Sequence, residues 1–180
     1  GEKSEPYREN DATAPLGVYG DSKWQGEQCV RQQLSQHLIL RVSWVFGQYG
    51  NNFVKTVLRL AREREQLKIV ADQYGCPTYA ADIAAVLLTL AEKVAFSQHS
   101  AWGTYHYCGL PAASWYEFAE KALKLANNYE TLIVNEVIPI TTAEYPTLAQ
   151  RPVNSVLDSR LLQETFDIAP RFWQEGLAQP

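Results

Sequence analysis

Tyr19-Gly20-Asp21-Ser22-Lys23 opens a helix, and Leu38-Ile39-Leu40-Arg41-Val42 follows it as a short apolar run. Pro15 and Gly17 close the preceding loop, and Gly26, Val30 and Leu34 continue one stripe from Lys23, which predicts a helix over 19–36. The run after it has the pattern of a buried parallel strand. A helix feeding a parallel strand is the unit of an α/β fold. Ligands in open α/β sheets bind outside the carboxyl ends of strands, and here that place is held by Ser43-Trp44. Trp44 could lie against a sugar ring there or fill a core.

Tyr19 and Lys23, four residues apart, share one helical face. A free phenol titrates near pH 10, so poising one near neutrality takes roughly 4 kcal/mol. An ammonium about 4 Å away, at an effective dielectric near 20, supplies on the order of that amount. Desolvation opposes it, and a nearby oxidised nicotinamide would help. A phenol so tuned can give a proton to a carbonyl oxygen as hydride reaches the carbon. The same spacing also suits a lysine stem packed beside a ring, so it assigns no chemistry alone.

Downstream, Gly47, Gly50 and Asn51 make a loop before a helix with Phe53, Val57, Leu58 and Ala61 on one face, and Asn52 suits its N-cap. A second strand spans 67–71. The 72–78 loop, with Gln73, either grips a base or forms a rigid turn. A helix over 79–94 places Ile83, Val86, Leu87, Leu90 and Val94 in the core. A loop over 97–103 leads to an alternating strand at 104–108. Ser114-Trp115-Tyr116-Glu117 reads as a capping box whose helix buries Phe118, Ala119, Ala122 and Ala126. A strand over 133–140 carries Pro139, which suits an edge. In the irregular 141–158 segment Arg151 is either solvated or a fork for phosphate oxygens. Asp158 caps a helix bearing Leu161, Leu162 and Phe166, and Pro170 opens a last one.

The 180 residues carry a net charge of −4, which argues against a nucleic-acid surface. Arg62-Glu63-Arg64-Glu65 reads as a solvated face. Cys29, Cys76 and Cys108 are odd in number and lack metal or CxxC spacing, as expected of reduced cytoplasmic thiols. His37, His99 and His106 form no ligand pattern. No apolar run nears the roughly 20 residues of a membrane span. No glycine-rich turn of the dinucleotide-binding kind follows a strand here, and the chain contains no methionine. The expectation is therefore the C-terminal part of a longer protein whose cofactor loop lies elsewhere.

Glu5-Pro6-Tyr7-x-Glu9-x-Asp11, Tyr19-Gly20-x-Ser22-Lys23 and Gly26-Glu27 resemble the extended short-chain dehydrogenase/reductases. Arg41 to Gly47, Asn52-Phe53, Asp72-Gln73-x-Gly75-x-Pro77-Thr78, Arg151-Pro152, Ser155 and Leu157-Asp158 narrow the resemblance to the dTDP-4-dehydrorhamnose reductase family. It implies a C-terminal part of a Rossmann-type doubly wound parallel sheet, interleaved with a small α/β substrate-binding lobe. Residues 1–42, 82–113 and 159–180 would belong to the nucleotide domain, and 43–81 and 114–158 to the substrate lobe. The implied reaction is reduction of the C4 ketone of dTDP-4-dehydro-L-rhamnose by NADPH or NADH. Tyr19 and Lys23 would be catalytic and would touch the cofactor. Trp44, Asn52, Gln73 and Arg151 would bind the nucleotide sugar. Mg2+ is left open, with no ligand pattern to support it. A nucleotide-sugar epimerase or dehydratase, or a non-catalytic regulatory relative of the methionine adenosyltransferase type, would use a similar sequence. Bared strand edges lead us to expect self-association, as a homodimer or otherwise.

Overall fold

Each of the main strands is preceded by a helix, and the computed structural model shows how the two kinds of element alternate. It describes residues 3–96 and 101–179; Gly1, Glu2, residues 97–100 with His99, and Pro180 lie outside them. The elements are α1 (Val18–Gln33), β1 (Leu38–Val42), β2 (Val45–Phe46), α2 (Phe53–Ala61), β3 (Gln66–Val70), β4 (Tyr74–Gly75), β5 (Thr78–Tyr79) and α3 (Ala80–Phe96). Then come β6 (Gly103–Tyr107), β7 (Ala113–Ser114), α4 (Trp115–Ala126), β8 (Glu136–Ile140), α5 (Arg160–Phe166) and α6 (Trp173–Leu177). The fold is α/β. β1 runs parallel to β6, with Leu38 opposite Gly103 and Val42 opposite Tyr107. β3 runs parallel to β8, and the short β2 to β5. Only β4 with β7 is antiparallel among the described strand pairs.

β1 is parallel, as its sequence predicts, but half-buried rather than buried, because its one strand neighbour among the described residues is β6. Tyr105, His106 and Tyr107 are buried in succession, so β6 does not alternate as expected. The chain start explains this: Glu9 accepts the His106 N–H at 2.9 Å, and the Tyr7 carbonyl meets its ring Nδ1 at 3.1 Å. Tyr7 is itself held by Val156 and Asp158.

The apolar side chains collect in three clusters. Val86 and Leu90 of α3, Tyr105 and Tyr107 of β6, and Leu162 and Phe166 of α5 form the first, with Leu38 and Leu40 against them. The second joins Val57 and Ala61 of α2, Leu67 of β3, and Ala119 and Leu123 of α4. The third holds Phe46, Ala113, Phe118 and Trp173, and touches Trp44 and Trp115. The Ser114 capping box forms as predicted, with Glu117 N–H to Ser114 Oγ at 3.1 Å and Ser114 N–H to Glu117 Oε2 at 2.7 Å. In α4 it is Leu123, not Ala126, that completes the buried face.

Three expectations shift at element ends. The strand expected from 133 begins at Glu136, since the N–H groups of Ile133 and Val134 both turn to the Ala61 carbonyl. Ser159 occupies the N-cap of α5, while the Asp158 carboxylate accepts the Arg160 N–H from one residue earlier. The last helix starts at Trp173 rather than at Pro170, because Arg171 and Trp173 pair with the backbone of Leu110.

On α3 the expected core residue Leu87 is 50% exposed, at the flank of the stripe carrying Ile83, Val86 and Leu90, and Leu88 is 67% exposed. Leu90→Ala should therefore cost about 2–5 kcal/mol by urea denaturation. Leu88→Ala should stay within about 0.5 kcal/mol. Equal costs would mean that α3 is turned about its axis relative to the arrangement described.

Candidate active site

α1 buries no side chain; Tyr19 is 77% exposed and Leu34 55%. What fixes the helix is polar. Glu27 accepts from Arg41 of β1 through both oxygens, Nε at 2.7 Å and Nη2 at 2.6 Å. Arg31, one turn on, donates to Glu27 at 2.9 Å and to Thr104 of β6 at 2.8 Å. Burial works to raise the Glu27 pKa, but the Arg41 hydrogen bonds and the charges of Arg41 and Arg31 outweigh it and hold the carboxyl below its ordinary value.

This network sets the height of the helix. Thr104 pairs with Ile39, two residues before Arg41. Going from Arg31 to Glu27 climbs about 6 Å of helix, and going from Ile39 to Arg41 climbs about 6.6 Å of strand. The helix thus runs antiparallel to β1. Lys23 falls level with about Ser43, and Tyr19 about one helical turn, 5.4 Å or so, beyond the carboxyl end of the strand. Lys23 Nζ stands 5.4 Å from the Tyr19 ring centroid, so the pair shares a face as its spacing predicts.

Trp44 follows that strand end at φ 42°, a left-handed conformation that costs a bulky residue on the order of 1–3 kcal/mol. Packing offsets the strain. The Trp115 indole lies parallel to it, centroids 3.5 Å apart and planes 8° off. A Cβ on Gly75 would fall 2.5 Å from Trp44 Nε1, 2.7 Å from Cδ2, and closer still to Cε2 between them. Such a point stands over the ring plane, not at its rim. Two groups cannot share one face, so Gly75 covers one side of Trp44 and Trp115 the other. Neither face of Trp44 is open, and only the edge of its ring is left.

β4 gathers the rest. Gly75 pairs with Ala113, two residues before Trp115. Tyr74 takes the Ser155 N–H on its carbonyl and donates its own N–H to Val153, two residues after Arg151. Ser43 Oγ donates to the Ser155 carbonyl at 3.0 Å. Arg151 is exposed and makes no ion pair among the described residues. Gln73 is buried and donates to Thr142 Oγ1 at 3.0 Å. Asp72 accepts the Thr142 N–H and hydroxyl, and these bonds outweigh burial to hold its carboxyl below the usual value. Apart from Tyr74, the 72–78 segment is buried or half-buried, and its start is pinned to Thr142. Asn52 caps α2, accepting from Lys55 N at 3.2 Å and donating to the Gly47 carbonyl at 2.7 Å. Its neighbour Phe53 lies 4.5 Å from the Trp115 ring. Cys76 and Cys108, distant in sequence, are buried neighbours; the hydrogen bond to Cys108 and burial push the Cys76 thiol up.

Residues 1–180 match the family model described as the RmlD substrate binding domain. The chain belongs to this family. It is 49% identical to the dTDP-4-dehydrorhamnose reductase of Aggregatibacter actinomycetemcomitans, over 98% of this chain and 60% of that protein. The Escherichia coli K12 reductase is 40% identical over 96% of this chain and 58% of the relative. A crystal structure of the Bacillus anthracis reductase in complex with NADP superposes with a TM-score of 0.87 at 40% identity, over 98% of this chain and 59% of that one. This RmlD-family chain thus spans about 60% of the length of the curated relatives it matches.

The sequence reading of this RmlD-family chain missed the roles of Glu27, Arg41, Gly75 and Trp115. Glu27, Arg41 and Gly75 stood inside quoted motifs, and Trp115 inside the capping box, yet nothing local tells that they meet. One consequence is a pH limit. Because the Glu27 carboxyl titrates lower folded than unfolded, where it sits near 4.5, its stabilisation is whole above that value and is lost as pH falls through the depressed one. Amide exchange in α1, measured against that in α4 as pH drops below about 4.5, should therefore quicken selectively. Parallel changes in both helices would show that Glu27 does not hold α1.

Proposed function

We propose that this chain supplies the proton donor and the substrate side of a reductase acting on the C4 ketone of dTDP-4-dehydro-L-rhamnose. The product is dTDP-L-rhamnose, used for cell-surface polysaccharide. The observation that carries the reading is the exposed Tyr19–Lys23 pair held beyond the carboxyl end of β1. The names of relatives at 40–49% identity support it.

Lys23 has no ion pair among the described residues, and its ammonium and the Tyr19 hydroxyl are both open to solvent. These residues fit the ribose and nicotinamide of NADPH or NADH, with Lys23 holding the ribose hydroxyls. A dihydronicotinamide held there would supply the hydride for C4. Tyr19 gives its proton to the C4 oxygen, and Lys23 stabilises the phenolate that remains. The Trp44 edge orients the sugar. Arg151, exposed and forked, takes the diphosphate, with the α2 N-terminus behind Asn52 adding positive potential. Gln73 acts through the buried turn it locks to Thr142. Among the described residues no group of His, Cys, Asp and Glu side chains could hold a metal ion.

The reading divides the chain into a nucleotide-domain portion (1–42, 82–113, 159–180) and a substrate lobe (43–81, 114–158). The first and second apolar clusters support this division, and the third joins the two parts. A cytoplasmic setting suits the three free cysteines. No described helix is long and apolar enough to cross a membrane. Exposed Val30, Leu34, Leu87 and Leu88 offer surface for self-association.

Two measurements test this. In protein made at the full length of the relatives, Tyr19→Phe should cut turnover of the dTDP-ketosugar at least about a hundredfold with little change in substrate affinity. Near-normal turnover would remove Tyr19 from the chemistry. By calorimetry Arg151→Ala should weaken dTDP and dTDP-sugar by similar factors, about 2–5 kcal/mol each. Unchanged dTDP affinity would return Arg151 to the solvated surface.

A further inference from the structure

Among the described residues Trp115 stacks on Trp44, and its other ring contacts, Phe53 and Phe118, have no part in the proposed chemistry. It is the first residue of α4, fixed from behind by the Ser114–Glu117 capping box and from the side by Phe53. Gly75, on the far side of Trp44, is joined to the same place through the β4–β7 pair. The two jaws around Trp44 are therefore parts of one rigid unit, and the Trp44 ring cannot tilt without moving one of them.

We propose that Trp115 is a positioning residue that, with Gly75, clamps Trp44 edge-on to the sugar of the bound nucleotide sugar. The inference rests on the reading of the site given above. A free tryptophan beside a strand end would offer its face, and faces accept many flat or apolar partners with little discrimination. An indole covered on both sides offers only a rim of ring C–H groups and one N–H. The Trp44 N–H has no hydrogen-bond partner among the described residues. The clamp thus sharpens selection for the sugar and leaves the nucleotide end, at Arg151, untouched. Gly75 is needed because any side chain there would enter the ring.

The test compares binding of a dTDP-sugar with binding of dTDP alone, in full-length protein, for substitutions on each side of the clamp. Trp115→Ala should weaken the dTDP-sugar about tenfold or more and leave dTDP within about twofold. Trp115→Phe, which keeps a flat ring, should recover most of that loss. Gly75→Ala should reproduce the selective loss from the other face. In a Trp44→Ala background Trp115→Ala should have no further effect, because it acts through Trp44. A Trp115→Ala loss of equal size in both backgrounds, or one shared equally by dTDP, would overturn the positioning role and leave Trp115 a packing residue. If Trp115→Ala fails to fold, Gly75→Ala decides alone: normal sugar selectivity there overturns the clamp. Wild-type protein that binds dTDP-sugar no better than dTDP would overturn the functional reading itself, and the positioning role with it. A wild-type preference that survives every clamp substitution would sink only the clamp.

Discussion

A carboxylate between two guanidinium groups decides where the candidate catalytic pair stands. α1 has no buried apolar face, so hydrophobic burial, the usual force that seats a helix, contributes little to its position among the described residues. Glu27 replaces it. Its fork-to-fork contact with Arg41 fixes distance and rotation together, in a way that a greasy contact would not. Arg31 then sets the helix direction by reaching Thr104 one level down the sheet. Lys23 and Tyr19 follow on the same row of the helix, each four residues farther from the anchor. The desolvation of Glu27 is the cost of this arrangement, and two arginines are what it takes to offset it.

The other half of the site is held by different physics. Trp44 keeps a left-handed backbone because its ring is enclosed, and an aromatic stack contributes about 0.5–1.5 kcal/mol beyond the area buried. Burial of the indole supplies the rest of what the strained turn costs. Around it the fixings are short and numerous: Asp72 and Gln73 to Thr142, Tyr74 to Val153 and Ser155, Ser43 to Ser155. Those of Tyr74 tie residues 153–155 to β4, those of Asp72 and Gln73 tie Thr142 to the residues just before it, and Ser43 joins the end of β1 to Ser155. Sequence-distant segments therefore meet near the carboxyl end of β1 through β4 and the few residues around it.

This difference explains what could be read from the sequence. Helices with an apolar period, such as α2 and α4, were legible because neighbours three and four residues apart carry the signal. The Ser114–Glu117 box was legible for the same reason, its partners being three residues apart. Parallel pairing of β1 was legible from its short apolar run, although its partial exposure was not, since exposure depends on how many strands adjoin it. Tyr19 and Lys23 were legible as a pair and Asn52 as a cap. The enclosure of Trp44 was hidden, because Gly75 and Trp115 come from segments that no local pattern connects to it. So was the meeting of Cys76 with Cys108. A glycine in a motif announces only that a side chain is unwelcome; it does not say whose ring takes the space.

The two halves also differ in how firmly they are held. Glu27 and its arginines are partly open to water, where salt screens such contacts and acid removes them. The Trp44 enclosure has no titrating partner and depends on packing, which neither condition weakens directly. A helix seated by charge alone can shift by small steps without disturbing a core, whereas an indole between a backbone and a second indole cannot. In the proposed reading, Tyr19 and Lys23 thus stand on the element best able to settle against a cofactor, and Trp44 on the one best able to define where the sugar would lie. Proton transfer needs the two partners within hydrogen-bond reach, about 2.6–3.2 Å, and a helix able to shift by small steps can close that gap onto a fixed neighbour. In the proposed reading the Trp44 side is the fixed one.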